Sequence, residues 1–174
     1  MQTFDNSIAL RDATAAQLRQ ALALATTDDL TGKRLTSDQD IHRFLVEQTG
    51  HLEHETFSVI WLDHRLSVIA VENKMFRGTH DTVSVWPREV LKSALAHNAA
   101  SCVISHNHPA GRALPSNADK SLTVRLMMAL KLIDVTLIDH VIVGAGGATY
   151  SLREKGDLNE KLAIEFMTLM TKTA

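Results

Sequence analysis

One cysteine, Cys102, stands in 174 residues. A single thiol excludes an intrachain disulfide and every zinc site of the two-cysteine or four-cysteine kind. It also excludes zinc nucleobase deamination, which needs a Pro-Cys-x-x-Cys pair. Excess charge is missing too: 18 Lys and Arg against 20 Asp and Glu leave a formal net charge of -2. No global positive field draws such a chain onto a nucleic-acid backbone, so tight non-specific DNA binding is not expected. No apolar run approaches the roughly 20 residues that span a bilayer, and Met1-Gln2-Thr3-Phe4-Asp5 has no basic segment leading into one. Neither membrane insertion nor secretion is expected, which makes the chain a cytoplasmic one. Internal repeats and low-complexity tracts are absent as well. What remains, 45% hydrophobic and 22% charged residues, is the make-up of one globular domain with a short N-terminal extension.

The extension is expected over 1–36. Its helix runs from 12 to 26, with Asp12 at the N-cap and Leu18, Ala21, Leu22 and Ala25 as an apolar stripe, and a polar linker with Gly32 follows. That helix is free to cap a site or to pair two copies as a homodimer. The domain proper is expected over 37–174. Ser37 and Asp40 have capping-box spacing before Ile41, Phe44 and Leu45, predicting a helix over 38–49 that stops near Gly50. Runs at 56–62 and 66–72, rich in aromatic and β-branched residues and split by Asp63-His64-Arg65, predict an antiparallel pair. A short strand is expected at 82–85, then a helix opened by Pro87. A strand over 100–105, a long helix from Ser116 to about 132, strands at 136–143 and 149–152 around a Gly144-Ala145-Gly146-Gly147 turn, and a helix over 158–171 complete the chain. Together these predict a three-layer α/β domain, a mixed sheet between helices.

The chemistry concentrates in Ser105-His106-Asn107-His108-Pro109 and the residues up to Asp119. Side chains of a strand alternate with period two, so His106 and His108 leave an extended backbone on the same side and reach one ion. Asp119 arrives after a loop shaped by Pro109, Gly111 and Pro115. Two imidazoles and a carboxylate suit zinc, and three protein ligands leave the fourth position open for water, as catalytic zinc requires. Zinc lowers the pKa of that water to about 7, and a carboxylate outside the ligand set must still carry its proton. Glu53 and Glu55 are the candidates. Glu55 is preferred because it shares strand parity with Phe57, Val59 and Trp61. Ser116 and Asp119 also have the spacing of a helix N-cap and its N3 residue, so the same pair can build both a cap and a site. Asp139-His140, on an expected strand, is a candidate second-shell pair, Cys102 a buried small hydrophobe, and Arg77 and Arg112 candidate substrate-orienting residues.

These residues resemble the JAB/MPN metalloproteases, whose JAMM motif is a distant Glu followed by His-x-His, seven residues, Ser, two residues and Asp. His106, His108, Ser116 and Asp119 match that spacing, and Glu55 precedes the first strand as the motif's Glu does. Phe76-Arg77-Gly78-Thr79, Pro87-Arg88-Glu89-Val90, His106-Asn107-His108-Pro109, Asp139-His140 and Ser151-Leu152-Arg153-Glu154-Lys155-Gly156 look like the RadC branch over roughly 37–158. Full-length members of that branch carry a helix-hairpin-helix N-terminal region, which makes this chain look like a short form. The resemblance implies a JAB/MPN-like, cytidine-deaminase-like fold and Zn2+ on His106, His108 and Asp119. It further implies Glu55 as general acid/base, Ser116 at the oxyanion or water, and hydrolysis of a peptide or isopeptide bond in a peptide or protein substrate. The RadC name carries an alternative, a DNA-repair factor or a metal-dependent nuclease.

Overall fold

The computed structural model describes residues 31–34, 37–78, 84–109, 111–159 and Thr168. The expected helix over 12–26, nearly all of that over 158–171, and residues 82 and 83 lie outside that set. Helix α1 (Asp38–Thr49) begins where the Ser37 hydroxyl accepts from the Asp40 amide at 3.3 Å. Strands β1 (Thr56–Leu62) and β2 (Val68–Arg77) follow as an antiparallel pair, β2 running five residues beyond the expected end. Ser84 and Val85 are not strand, contrary to expectation: among the described residues no strand offers them a ladder, and they lead directly to Trp86, the N-cap of α2 (Pro87–Ala96). The expected linker is partly docked, because the Gly32 amide and the Lys33 carbonyl bond Val68 at the start of β2.

Strand β3 (Ser101–His108) extends three residues past the expected end, so both histidines lie within it. Helix α3 (Asn117–Lys131), strand β4 (Thr136–Gly144), a 3-10 turn (Ala145–Gly147) and β5 (Thr149–Ser151) close the sequence of elements. The sheet order is β2-β1-β3-β4-β5, antiparallel everywhere except between β3 and β4. Every residue of β1 is buried, as a central strand covered on both faces demands. Phe44 and Leu45 of α1 pack on Ile60, Leu62, Val103, Val141 and Val143 on one face. On the other face, Val90 and Ala94 of α2 and Leu122, Leu126 and Leu130 of α3 cover Phe57, Val59, Trp61, Cys102 and Ile104. Each such large side chain, taken out of water, contributes about 1.5–3 kcal/mol. The result is an α/β domain of three layers with a mixed sheet. Among the described residues no helix is long and apolar enough to cross a membrane.

Candidate metal centre

The crossover β3–α3–β4 joins two parallel neighbours, while β1 flanks β3 in the opposite sense. Ligands of open α/β sheets bind beyond the carboxyl ends of strands at such a switch in direction. Here that place is the end of β3 and the start of α3. Even-numbered residues of β3 face α3, so Cys102 and Ile104 enter the core while His106 continues the row toward the rim. Asp119 occupies the first turn of α3, near the positive end of the helix dipole. A reciprocal capping box fixes it. The Ser116 hydroxyl accepts from the Asp119 amide at 3.1 Å, and Asp119 Oδ2 accepts from the Ser116 amide at 2.8 Å and its hydroxyl at 2.7 Å.

The three side chains converge. Nε2 of His106 and Nε2 of His108 stand 2.9 Å apart, with Asp119 Oδ1 3.1 Å from the first and Oδ2 3.6 Å from the second. One potential ligand atom from each lies within 4.8 Å of the others. His106 is sealed below at 2% exposure, whereas His108 and Asp119 retain 17% and 15%, so the cluster opens to solvent on one side. The Arg112 carbonyl, 3.0 Å from His108 Nδ1, can only accept, and therefore takes the proton on that nitrogen. A neutral His108 consequently turns an unshared electron pair on Nε2 toward its neighbours. Burial by itself raises the Asp119 carboxyl, but hydrogen bonds and charge from the protonated forms of His106 and His108, together with the Ser116 hydroxyl, outweigh it and hold the group well below the usual carboxylate range. The bond to Asp119, opposed by burial and assisted by the Arg112 carbonyl and the charges of Asp119 and Glu55, raises the pKa of His108. Such a set of two imidazole nitrogens and an ionised carboxylate fits a divalent cation of the zinc type.

The Arg112 carbonyl owes its position to Gly144, where a Cβ would come within 2.5 Å of the Ala113 backbone nitrogen. The loop can lie this close to the end of β4 only because residue 144 has no side chain. Of the two candidate acids, Glu53 is exposed and Glu55 is buried at 9%. Register carries Glu55 toward the site: Phe57 pairs with His106, and the segment just before it runs on toward His108, which feels the charge of Glu55. Asn107, between the two histidines, faces the other way and clamps this segment. Its Oδ1 accepts from the Thr56 amide and hydroxyl at 2.8 Å each, and its Nδ2 donates to the His54 carbonyl at 3.1 Å, so residues on both sides of Glu55 are tied to β3.

The RadC-like JAB domain family matches residues 35–157. The chain belongs to that family. This RadC-like JAB domain is 50% identical over 125 residues to a UPF0758 protein of Nitrosococcus oceani, covering 72% of the chain and 55% of the relative. It is 42% identical over 155 residues to a UPF0758 protein of Thioalkalivibrio sulfidiphilus, covering 87% of the chain and 69% of the relative. A third, from Janthinobacterium, is 43% identical over 162 residues, 91% of the chain and 71% of the relative. The match to the first of them thus spans little more than half of that relative's length.

Asp139 and His140 do not act as a pair. They are adjacent on β4 and so face opposite sides of the sheet: His140 Nε2 lies 2.8 Å from His106 Nδ1, while Asp139 bonds Ser151 and the Arg153 amide. Cys102 is fully buried and its thiol is pushed up to about 12 by burial, so it is a core residue and no nucleophile. Asn107, Thr123 and Gly144 escape a reading of the sequence. The available signals are weak: Thr123 stands four residues after Asp119 on one helix face, and Asn107 takes the parity opposite to the histidines.

Proposed function

We propose that this RadC-like JAB domain is a zinc-dependent hydrolase that cleaves a peptide or isopeptide bond in a peptide or protein substrate. The convergence of His106 Nε2, His108 Nε2 and Asp119 at the solvent-open end of β3 carries this reading. His106, His108 and Asp119 would hold the ion. Bound there, zinc supplies a Lewis acid for a carbonyl and lowers the pKa of water into the neutral range. Glu55, held by the Asn107 clamp, accepts the proton from the attacking water and delivers it to the leaving amine. Ser116 caps α3 and holds Asp119, and its hydroxyl reaches the developing oxyanion by turning its one proton away from Asp119 Oδ2. The domain works as a cytoplasmic protein, and residues 1–36 are its extension.

Elemental analysis of purified protein tests the first step: about one zinc per chain in the wild type, and none in His106→Ala. For the second, purified protein with and without Glu55→Ala is screened against peptides and ubiquitin-like fusions. Cleavage lost in the variant is the expected result, and cleavage that survives overturns the role of Glu55. Plasmid nicking abolished by Asp119→Ala would replace this reading with a nuclease.

A further inference from the structure

Behind His106 a file of buried polar groups leads back to the helix that supplies the third ligand. His106 Nδ1 is 2.8 Å from His140 Nε2, His140 Nδ1 is 2.6 Å from Thr123 Oγ1, and Thr123 Oγ1 is 2.6 Å from the Asp119 carbonyl. His140 and Thr123 are wholly buried and His106 nearly so, and the three bond one another directly. The order of protons then follows from chemistry. A carbonyl oxygen can only accept, so the single hydroxyl proton of Thr123 goes to Asp119. His140 Nδ1 must in turn donate to Thr123 Oγ1. Wholly buried between an imidazole and a hydroxyl, the His140 ring is neutral, because a charge there would have no counter-ion to repay its burial. A neutral ring that donates from Nδ1 accepts at Nε2, so His106 donates from Nδ1. Its Nε2 therefore carries an unshared pair pointing at His108 and Asp119. The reverse order would leave the 2.6 Å contact between two oxygens without a proton and mutually repulsive.

We propose that His140 and Thr123 are positioning residues that fix His106 in its metal-binding tautomer. The relay moves the unfilled contacts of the network, the 2.9 Å approach of two imidazole nitrogens and the 3.1 Å approach of Asp119 Oδ1 to one of them, out to the place where a cation would resolve them. It also closes a ring, because the carbonyl that ends the relay belongs to Asp119, whose carboxylate faces His106. Strand and helix thus position one another's ligands. This proposal rests on the metal reading above, but its proton order can be measured without metal.

The test uses Thr123→Val, a change of similar shape that removes only the hydroxyl, with Thr123→Ser as the conservative rescue and His140→Gln and His140→Phe as a second pair. Nitrogen-15 NMR of the histidine rings in zinc-free protein reads which nitrogen of His106 carries the proton, and zinc titration against a chromophoric chelator reads affinity. Nδ1 of His106 is expected to be protonated in the wild type and in Thr123→Ser, and to lose its proton in Thr123→Val. Zinc affinity is expected to fall about 10-fold to 100-fold in Thr123→Val and His140→Phe, the usual cost of losing an outer partner. It is expected to stay within roughly threefold of the wild type in Thr123→Ser and His140→Gln, where the hydrogen-bonding groups remain. An unmoved Nδ1 proton in Thr123→Val overturns the relay whatever the zinc titration gives. Wild-type protein that takes up no zinc overturns the metal reading instead, leaving the proton order to stand or fall on the NMR alone.

Discussion

Asp139 and His140 are neighbours in sequence and lie on opposite faces of the same strand, and the two polar clusters they anchor differ in one respect. The Asp139 cluster is closed. Its carboxylate accepts from the His140 amide at 2.7 Å, the Ser151 hydroxyl at 2.5 Å and the Arg153 amide at 3.0 Å, while Arg153 pairs outward with Asp38. Every acceptor meets a donor, and the cluster staples β5, the turn after it and the start of α1 to β4. The cluster reached through His140 is open. Two ring nitrogens and a carboxylate face one another with more acceptors than protons. Burial of polar groups is tolerated when they are satisfied, so a closed cluster builds the fold and an open one calls for a cation.

Breaking the closed cluster should have the largest effect on stability. Asp139→Ala leaves three donors without their acceptor, at about 1–3 kcal/mol for each one stranded in the interior, so a loss of roughly 3–5 kcal/mol is expected in urea denaturation. The open cluster should respond in the opposite way. In His106→Ala the zinc-free protein is expected to lose less stability than Asp139→Ala, about 1–3 kcal/mol for the buried His140 nitrogen left unpaired, while zinc affinity falls by more than the roughly 100-fold cost of a lost outer partner. A large stability loss there, with zinc affinity kept, would make both clusters structural. Gly144→Ala tests the support between them: a methyl group 2.5 Å from the Ala113 nitrogen must push the loop away, at about 1–3 kcal/mol as overpacking costs. Its zinc affinity should drop as well, because the Arg112 carbonyl moves with the loop.

The smallest effect expected is on pH dependence, and its sign separates the two forms of the open cluster. His108 has its pKa raised above the ordinary 6.5, chiefly by its bond to Asp119. A raised pKa contributes stability that is whole below the unfolded value and is lost as pH rises through the folded one. Zinc-free protein should therefore lose a little stability as pH rises from 6.5. The gain in melting temperature on adding zinc should grow over the same range, since the ion must displace that proton. Parallel slopes with and without zinc would show that His108 does not bind it.

Much of this was legible in the chain. The capping chemistry of Ser37 and Ser116 and the apolar spacing of α1 and α3 gave those elements near their observed ends, because helix signals are local. The His-x-His parity and the seven-residue spacing to Ser116 named the three converging side chains for the same reason. Strand ends were less legible. β2 and β3 both outrun their apolar runs, since a strand lasts as long as its neighbours supply a ladder, and Lys74 or His106 gives no local sign of that. At 82–85 the reverse holds: β-branched residues at 82, 83 and 85 suggest a strand, and Ser84 and Val85 find no partner for one among the described residues.

The sequence by itself determined the candidate ligand set, the capping of α3 and the membership of the RadC-like JAB family, all matters of spacing and motif along the chain. Only the tertiary structure decided what those residues can do together. It left Glu53 exposed and buried Glu55 on the register that runs toward His108, set Asn107 to clamp it, separated Asp139 from His140 and brought Thr123 behind His140. The hydrogen bonds among them join residues 17 to 53 positions apart, decided by which strands pair, in which register and facing which helix. A hydrogen atom's place on an imidazole depends on such contacts, because the ring has two nitrogens of nearly equal basicity and only a partner held at hydrogen-bond distance chooses between them.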